Sequence, residues 1–243
     1  MDSFEAAKIL YRNGETQNSL KLLERIWELA VENPESEFKI FCAGAEVSLE
    51  FDAAGVADLI ESAIVGEGNF KSFWQRRDLS EQAVLFDWLG QIAYKLGDKS
   101  RAYESLTRAA SLGRDTVLMW RLLGQLCAEN REIDLGLRYA KRSLFLYRNP
   151  DLNLLSGQDY ILGFFTGKSP LGISNSIQDY LGLLLTMTKE AKGQKSFKGV
   201  RDFVLELIHQ FPHETRLPKI RNLVENHWVS NSLRYDAPNQ PSL

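Results

Sequence analysis

The chain has 243 residues, 44% of them hydrophobic and 25% charged, with a formal net charge of −3 and a pI near 5.8. This composition excludes a disordered chain, supplies enough apolar residues for a sizeable core and argues against a generally basic, nucleic-acid-coating protein. The longest apolar patch, Leu181 to Met187, is interrupted by Gly182 and falls far short of the roughly 18 residues that cross a bilayer, so no membrane span is expected.

In chain order, two loose helical pairs come first. Ala6, Ala7, Leu10, Gly14, Ser19, Leu23 and Ile26 predict one over 3–36. Ile40, Ala43, Gly44, Val47, Val56, Ile60, Ala63 and Ile64 predict another over 37–66, closed by the break Gly66-Glu67-Gly68-Asn69. The segment from Phe70 to Asp78 is aromatic and basic together, through Phe70, Phe73, Trp74, Arg76 and Arg77. It reads either as a short helix packed across its neighbours or as a lip that contacts a ligand through Phe73 and Trp74.

The clearest pattern follows, in 83–116 and 117–150. Phe86, Leu89, Gly90, Gln91, Ala102, Leu106 and Ala109 recur at a constant offset, position for position, as Trp120, Leu123, Gly124, Gln125, Gly136, Ala140 and Ser143. Recurrence of large and tiny residues in the same order is what packed helical pairs require. Gly inside a helix costs about 1 kcal/mol against Ala, so these glycines need a packing reason. Close helix crossings provide it, with Gly90 predicted to face Ala102 and Gly124 to face Gly136.

Downstream, Gly163, Gly167, Pro170, Gly172 and Asn175 predict a loop within 157–176, after a helix holding Tyr160, Ile161, Phe164 and Phe165. Leu184, Met187, Thr188, Ala191, Val200, Val204, Leu207 and Pro212 give a further degenerate pair over 181–213. Leu217, Ile220, Leu223, Val224 and Trp228 then mark an amphipathic helix within 214–233, with Pro218 tolerated in its first turn. The polar, Pro-containing stretch 236–243 is expected to fray.

On these residues the chain resembles the tetratricopeptide repeat family, whose repeating unit carries an aromatic, Leu-Gly, a second aromatic, a turn Gly, Ala, an aromatic, Ala and Pro. Phe86, Leu89, Gly90, Gly97, Ala102 and Ala109 match one unit; Trp120, Leu123, Gly124, Ser143 and, two places late, Pro150 match the next. Ala93 and Cys127 stand where the second aromatic belongs, with Tyr94 next door, and Arg131 replaces the turn glycine. The resemblance implies an all-α, right-handed solenoid of helical hairpins over 1–235, ending in a capping helix. It further implies a non-enzymatic scaffold whose first helices line a concave binding groove. Carried onto this chain, the groove would present Asp87, Gln91 and Tyr94 from one unit and Arg121 and Gln125 from the next. Amides bond both sides of a peptide backbone and Tyr adds apolar area with a polar tip, so a peptide or helical segment of a partner is the expected ligand. Some relatives clamp a C-terminal carboxylate with Lys, Asn and Arg. Here Asp87, Trp88, Gln91, Leu118, Arg121 and Leu122 occupy those places, and a single Arg121 beside Asp87 makes no such clamp.

Other chemistries lack their residues. His209 and His213 have a metal-ligand spacing that Pro212 interrupts, Gly66-Glu67-Gly68 lacks the rest of a phosphate loop, and Ser156-Gly157 lacks the glycine of a nucleophile elbow. No catalytic residue, metal or cofactor is therefore expected. Lys189, Lys192, Lys195, Lys198 and Arg201 invite an RNA reading, but Gly193 breaks the series and nucleic acid is not the expected partner. Met1-Asp2-Ser3-Phe4-Glu5 lacks a basic region before an apolar one, and Cys42 and Cys127 are the only cysteines. Both features point to a cytoplasmic protein. Residues 1–66 carry 5 basic and 13 acidic side chains, a net of −8, against 9 and 6, a net of +3, in 181–243. Such polarity reads as ordinary solvated helix surface, or suits a polarised partner or self-association head to tail. The alternative to a groove-binding adaptor is a structural subunit held through Trp27, the Phe70 to Trp74 lip or the C-terminal helix.

Overall fold

The computed structural model describes residues 52–66, 73–149, 177–191 and 193–235 without a break, and scattered residues from 6 to 49. Among the described residues every regular element is helical and no strand occurs. The chain divides into two compact units, 1–114 with 154–174 and 115–153 with 175–243. The predicted loop within 157–176, Trp27, Phe70, Pro150, Lys192, the side chain of Trp228 and the tail 236–243 lie outside the described residues.

In the first unit, Phe38, Phe41, Cys42, Ala45 and Leu49 are helical and buried, the spacing of one helix face. Helix α1, Ala53–Val65, starts where the Asp52 carboxylate accepts from Gly55 N at 2.8 Å and buries Val56, Ala57, Ile60 and Ala63. A short 3-10 turn, Trp74–Arg76, precedes α2, Leu79–Leu96, which Asp78 caps through Glu81 N at 2.8 Å. Helix α3, Lys99–Ser111, is capped by Asp98 and returns against α2, while α1 also packs on α2. Arg101 of α3 reaches back to Glu61 and Asp58 of α1. A Cβ on Gly90 would lie 2.5 Å from Leu106 Cγ and 3.1 Å from Leu106 N, so α3 passes close to α2 at this glycine.

In the second unit, α4, Val117–Glu129, and α5, Ile133–Arg148, form a second pair. Here the anticipated partners meet: a Cβ on Gly124 would lie 3.2 Å from Gly136 O and 3.4 Å from Ala140 N. Helix α6, Ile177–Glu190, packs on α4, and α7, Gly193–Gln210, packs on α5. Helix α8, Arg216–Tyr235, covers α7 and α6 with Leu217, Ile220 and Val224, whereas Leu223, read as part of the same apolar stripe, faces outward at 52% exposure. Ser143, at the repeat position of Ala109, donates its hydroxyl hydrogen to Val117 O at 2.8 Å and accepts from Tyr180 OH at 2.7 Å. That pairing satisfies a fully buried tyrosine hydroxyl.

The turns of the two pairs are superimposable in their bonding. Asp98 N donates to Ala93 O at 2.9 Å and Gly97 N to Tyr94 O at 3.1 Å; at the equivalent places of the next repeat, Glu132 N donates to Cys127 O at 2.8 Å and Arg131 N to Ala128 O at 3.0 Å. This double bond is the Schellman helix end, which needs one residue of left-handed backbone. Gly97 supplies it at φ 85°, and Arg131, the one non-glycine with positive φ among the described residues, supplies it at φ 67°. A side chain in that conformation costs roughly 1 kcal/mol. Arg131→Gly is therefore expected to stabilise the second unit by about 0.5–1 kcal/mol, because the ion pair it gives up, Arg131 to Glu190 at 3.1 Å, is largely exposed. A rise in urea midpoint with an unchanged slope would register this.

Candidate functional site

Helix α2 carries the first part of the predicted row. Asp87 is 1% exposed and its carboxylate accepts from Gln91 Nε2 at 2.9 Å, one helical turn along, and from Arg114 Nε at 2.9 Å. Arg114 is put there by the end of α3, where Gly113 turns at φ 93° and Arg114 N donates to Ala109 O at 3.0 Å. The guanidinium and carboxylate, 27 residues apart, form an ion pair inside the first unit with side-chain exposures of 8% and 1%. The acid and amide proposed for a peptide thus hold each other and Arg114. Tyr94, one turn further, is half-buried.

Phe73 and Trp74 differ from one another. Phe73 is 1% exposed and belongs to the first unit's core, its ring 4.9 Å from that of Phe41. The Arg77 guanidinium lies over Phe73 at 4.7 Å and over Phe38 at 5.6 Å, and its Nε donates to Phe73 O at 3.2 Å. Aromatic and basic residues in this segment therefore serve one another by stacking and hydrogen bonding. Trp74 is half-buried and meets Phe86 edge to face at 5.7 Å.

The remaining two residues lie on α4. Arg121 is 7% exposed. Gln125 is half-buried and its Nε2 donates to Glu129 Oε1 at 2.8 Å and to Thr186 Oγ1 of α6 at 3.1 Å. Within the second unit α6 thus covers part of the face that Gln125 occupies.

Beside these, the second unit holds a polar cluster that periodicity did not expose. Asp115 accepts from Trp120 Nε1 at 2.6 Å and from Arg142 Nε at 3.0 Å, and its second oxygen pairs with the same guanidinium. Trp120 also stacks on Tyr139, 5.3 Å between ring centres. Partial burial works against ionisation of Asp115, but the hydrogen bonds from Arg142 and Trp120 and the Arg142 charge outweigh it and hold the carboxyl below its ordinary value. A depressed acid contributes stability above its unfolded pKa and loses it as pH falls through the folded one. The wild type is accordingly expected to lose stability and shift its Trp120 emission as pH drops below about 4. Asp115→Asn is expected to reduce that dependence, as read by fluorescence-monitored unfolding at pH 7 and pH 3.

Among the described residues no group of three or more His, Cys, Asp or Glu gathers as a metal would require. His209 ends α7 and His213 follows it, both exposed, and Cys42 and Cys127 are buried thiols. No described helix is long and apolar enough to cross a membrane. The chain matches no protein-family model and no curated protein sequence.

Proposed function

We propose that this chain is a non-catalytic, cytoplasmic scaffold built as a right-handed solenoid of tetratricopeptide-like hairpins with α8 as its cap, which holds a peptide or helical segment of a partner protein. The observation that carries this reading is the identity of the two turns, one repeat apart, down to the same pair of backbone hydrogen bonds and a left-handed residue at Gly97 and Arg131. Stacking of α6 on α4 and of α7 on α5 supports it, because repeat scaffolds bury first helices against first helices and second against second. Of the predicted row, Tyr94 and Gln125 retain exposed surface and are the contacts to test.

Photo-crosslinking in the native host provides that test. A benzoylphenylalanine at position 94 or 125 is expected to give a discrete protein adduct, while one at exposed Lys99 on α3 gives none. Adducts that form equally from all three positions, or from none, would end the groove reading. A second reading, the structural subunit, is favoured by exposed Leu223 on α8, 52% accessible. In that case Leu223→Glu disperses the assembly and leaves the crosslinks from 94 and 125 unchanged.

A further inference from the structure

Helices α7 and α8 enclose a cleft of about 750 Å³ lined by Lys195, Phe197, Lys198, Arg201, Val224, Glu225 and Val229. The volume lies within the range of ligand-binding clefts. Its floor is apolar: Phe197 is 3% exposed and packs 5.6 Å from the His227 ring, Val224 is 1% exposed, and Val229, 54% exposed, forms the open edge. Its rim is cationic. Lys195, Lys198 and Arg201 recur at three-residue steps along one face of α7; among the described lining residues the one carboxylate is that of Glu225, which already faces Arg221 at 3.6 Å.

The three cations are available to a ligand. Lys198 makes no ion pair among the described residues. Lys195 contacts Asp134 at 3.0 Å with its side chain 90% exposed, and Arg201 meets the neighbouring Asp202 at 3.5 Å with both half-exposed. Exposed pairs of this kind exchange at little cost. The row continues one turn along α7 to Leu205, an apolar side chain 42% exposed. From Lys195 to Leu205 it covers ten residues, about 15 Å of helix. A cleft with an apolar floor and a cationic rim, with exposed Leu205 one turn beyond it on α7, matches a linear, amphipathic and acidic segment better than a compact anion.

We infer that the α7–α8 cleft docks an acidic peptide segment of a partner protein, its carboxylates on Lys195, Lys198 and Arg201 and an apolar side chain on Phe197 and Val224. The inference stands on these two helices and is independent of the repeat reading and of the groove residues Tyr94 and Gln125.

Selection of random 12-residue peptides displayed on phage against the immobilised full chain tests it. Recovered peptides are expected to be enriched in Asp and Glu interspersed with Leu, Ile or Phe. As synthetic peptides they are expected to bind the Lys198→Glu/Arg201→Glu variant about tenfold more weakly or worse, while its helical circular dichroism and melting temperature match the wild type. The inference is overturned if nothing acidic is selected, or if the charge-reversed variant binds the peptides as well as the wild type. It is equally overturned if a 12-nucleotide oligouridine binds more tightly than any selected peptide and displaces it. A chain that runs as a dimer and becomes monomeric on charge reversal, with no peptide bound, would assign the cleft to a second copy instead.

Discussion

Asp87→Ala is expected to destabilise the first unit by about 3 kcal/mol or more, since removing one partner of a buried ion pair leaves the other charge uncompensated. Asp87 Oδ2 accepts from Arg114 Nε at 2.9 Å with both side chains buried, and Oδ1 accepts from Gln91 at 2.9 Å, so a single truncation disrupts two bonds. The double variant Asp87→Leu/Arg114→Leu is expected to be distinctly more stable than Asp87→Ala, because apolar replacement of both partners removes the desolvation cost together with the attraction. Equilibrium urea unfolding of the three proteins measures the difference. A loss below about 1 kcal/mol for Asp87→Ala would place the pair in solvent instead. The result also bears on binding experiments. A partner lost on mutating Asp87 counts as a groove contact only when the variant is shown to be folded.

Gly136→Val is expected to cost the second unit about 3 kcal/mol, the upper end of ordinary overpacking. An added Cβ would stand 3.0 Å from Gly124 O, 3.2 Å from Met187 Cε and 3.4 Å from Ala128 N, before either methyl of valine is counted. Two of those neighbours are main-chain atoms of α4, which yield only if α4 and α5 separate. Better helix propensity returns only a few tenths of a kcal/mol. Gly182, within α6, has nothing within 4 Å of its Cβ position, and Gly182→Ala is expected to gain up to about 1 kcal/mol. Opposite signs at two helical glycines of one unit, read from melting temperatures, separate packing from propensity. Equal gains at both would mean that the α4–α5 crossing is not close.

Much of the local design was legible. The helix end at Gly97, the meeting of Gly124 with Gly136 and the buried residues Leu217, Ile220 and Val224 of α8 each follow from residues within a few turns of one another. At Gly90, similarity to Gly124 located the glycine, but only the packed helices show Leu106, the repeat equivalent of Ala140, pressed against it. Arg131 stands at the turn-glycine position in the sequence, but its left-handed backbone shows only in its φ of 67° and its bond to Ala128.

The candidate site was the least legible part. On a helical wheel Asp87 and Gln91 look like solvent-facing polar residues, and nothing in their own neighbourhood announces Arg114, which sits in the irregular link Gly113-Arg114-Asp115. Phe73 and Arg77 read equally well as a lip or as a core contact until Phe38 and Phe41 are seen beneath them. The Lys195, Lys198 and Arg201 row was visible as charge, but its apolar floor arises only when α8 folds back to place Val224 beside Phe197.

Helices, their turns and the tiny residues at crossings follow from residue order alone, because hydrogen bonding, capping and periodic burial act between residues a few positions apart. Tertiary structure alone decided which polar groups were spent internally. Asp87 with Arg114, Gln125 with Thr186 and Ser143 with Tyr180 join residues 27, 61 and 37 positions apart. Exposure of a polar side chain depends on what distant segment packs over it, and no local pattern of residue types encodes that distance.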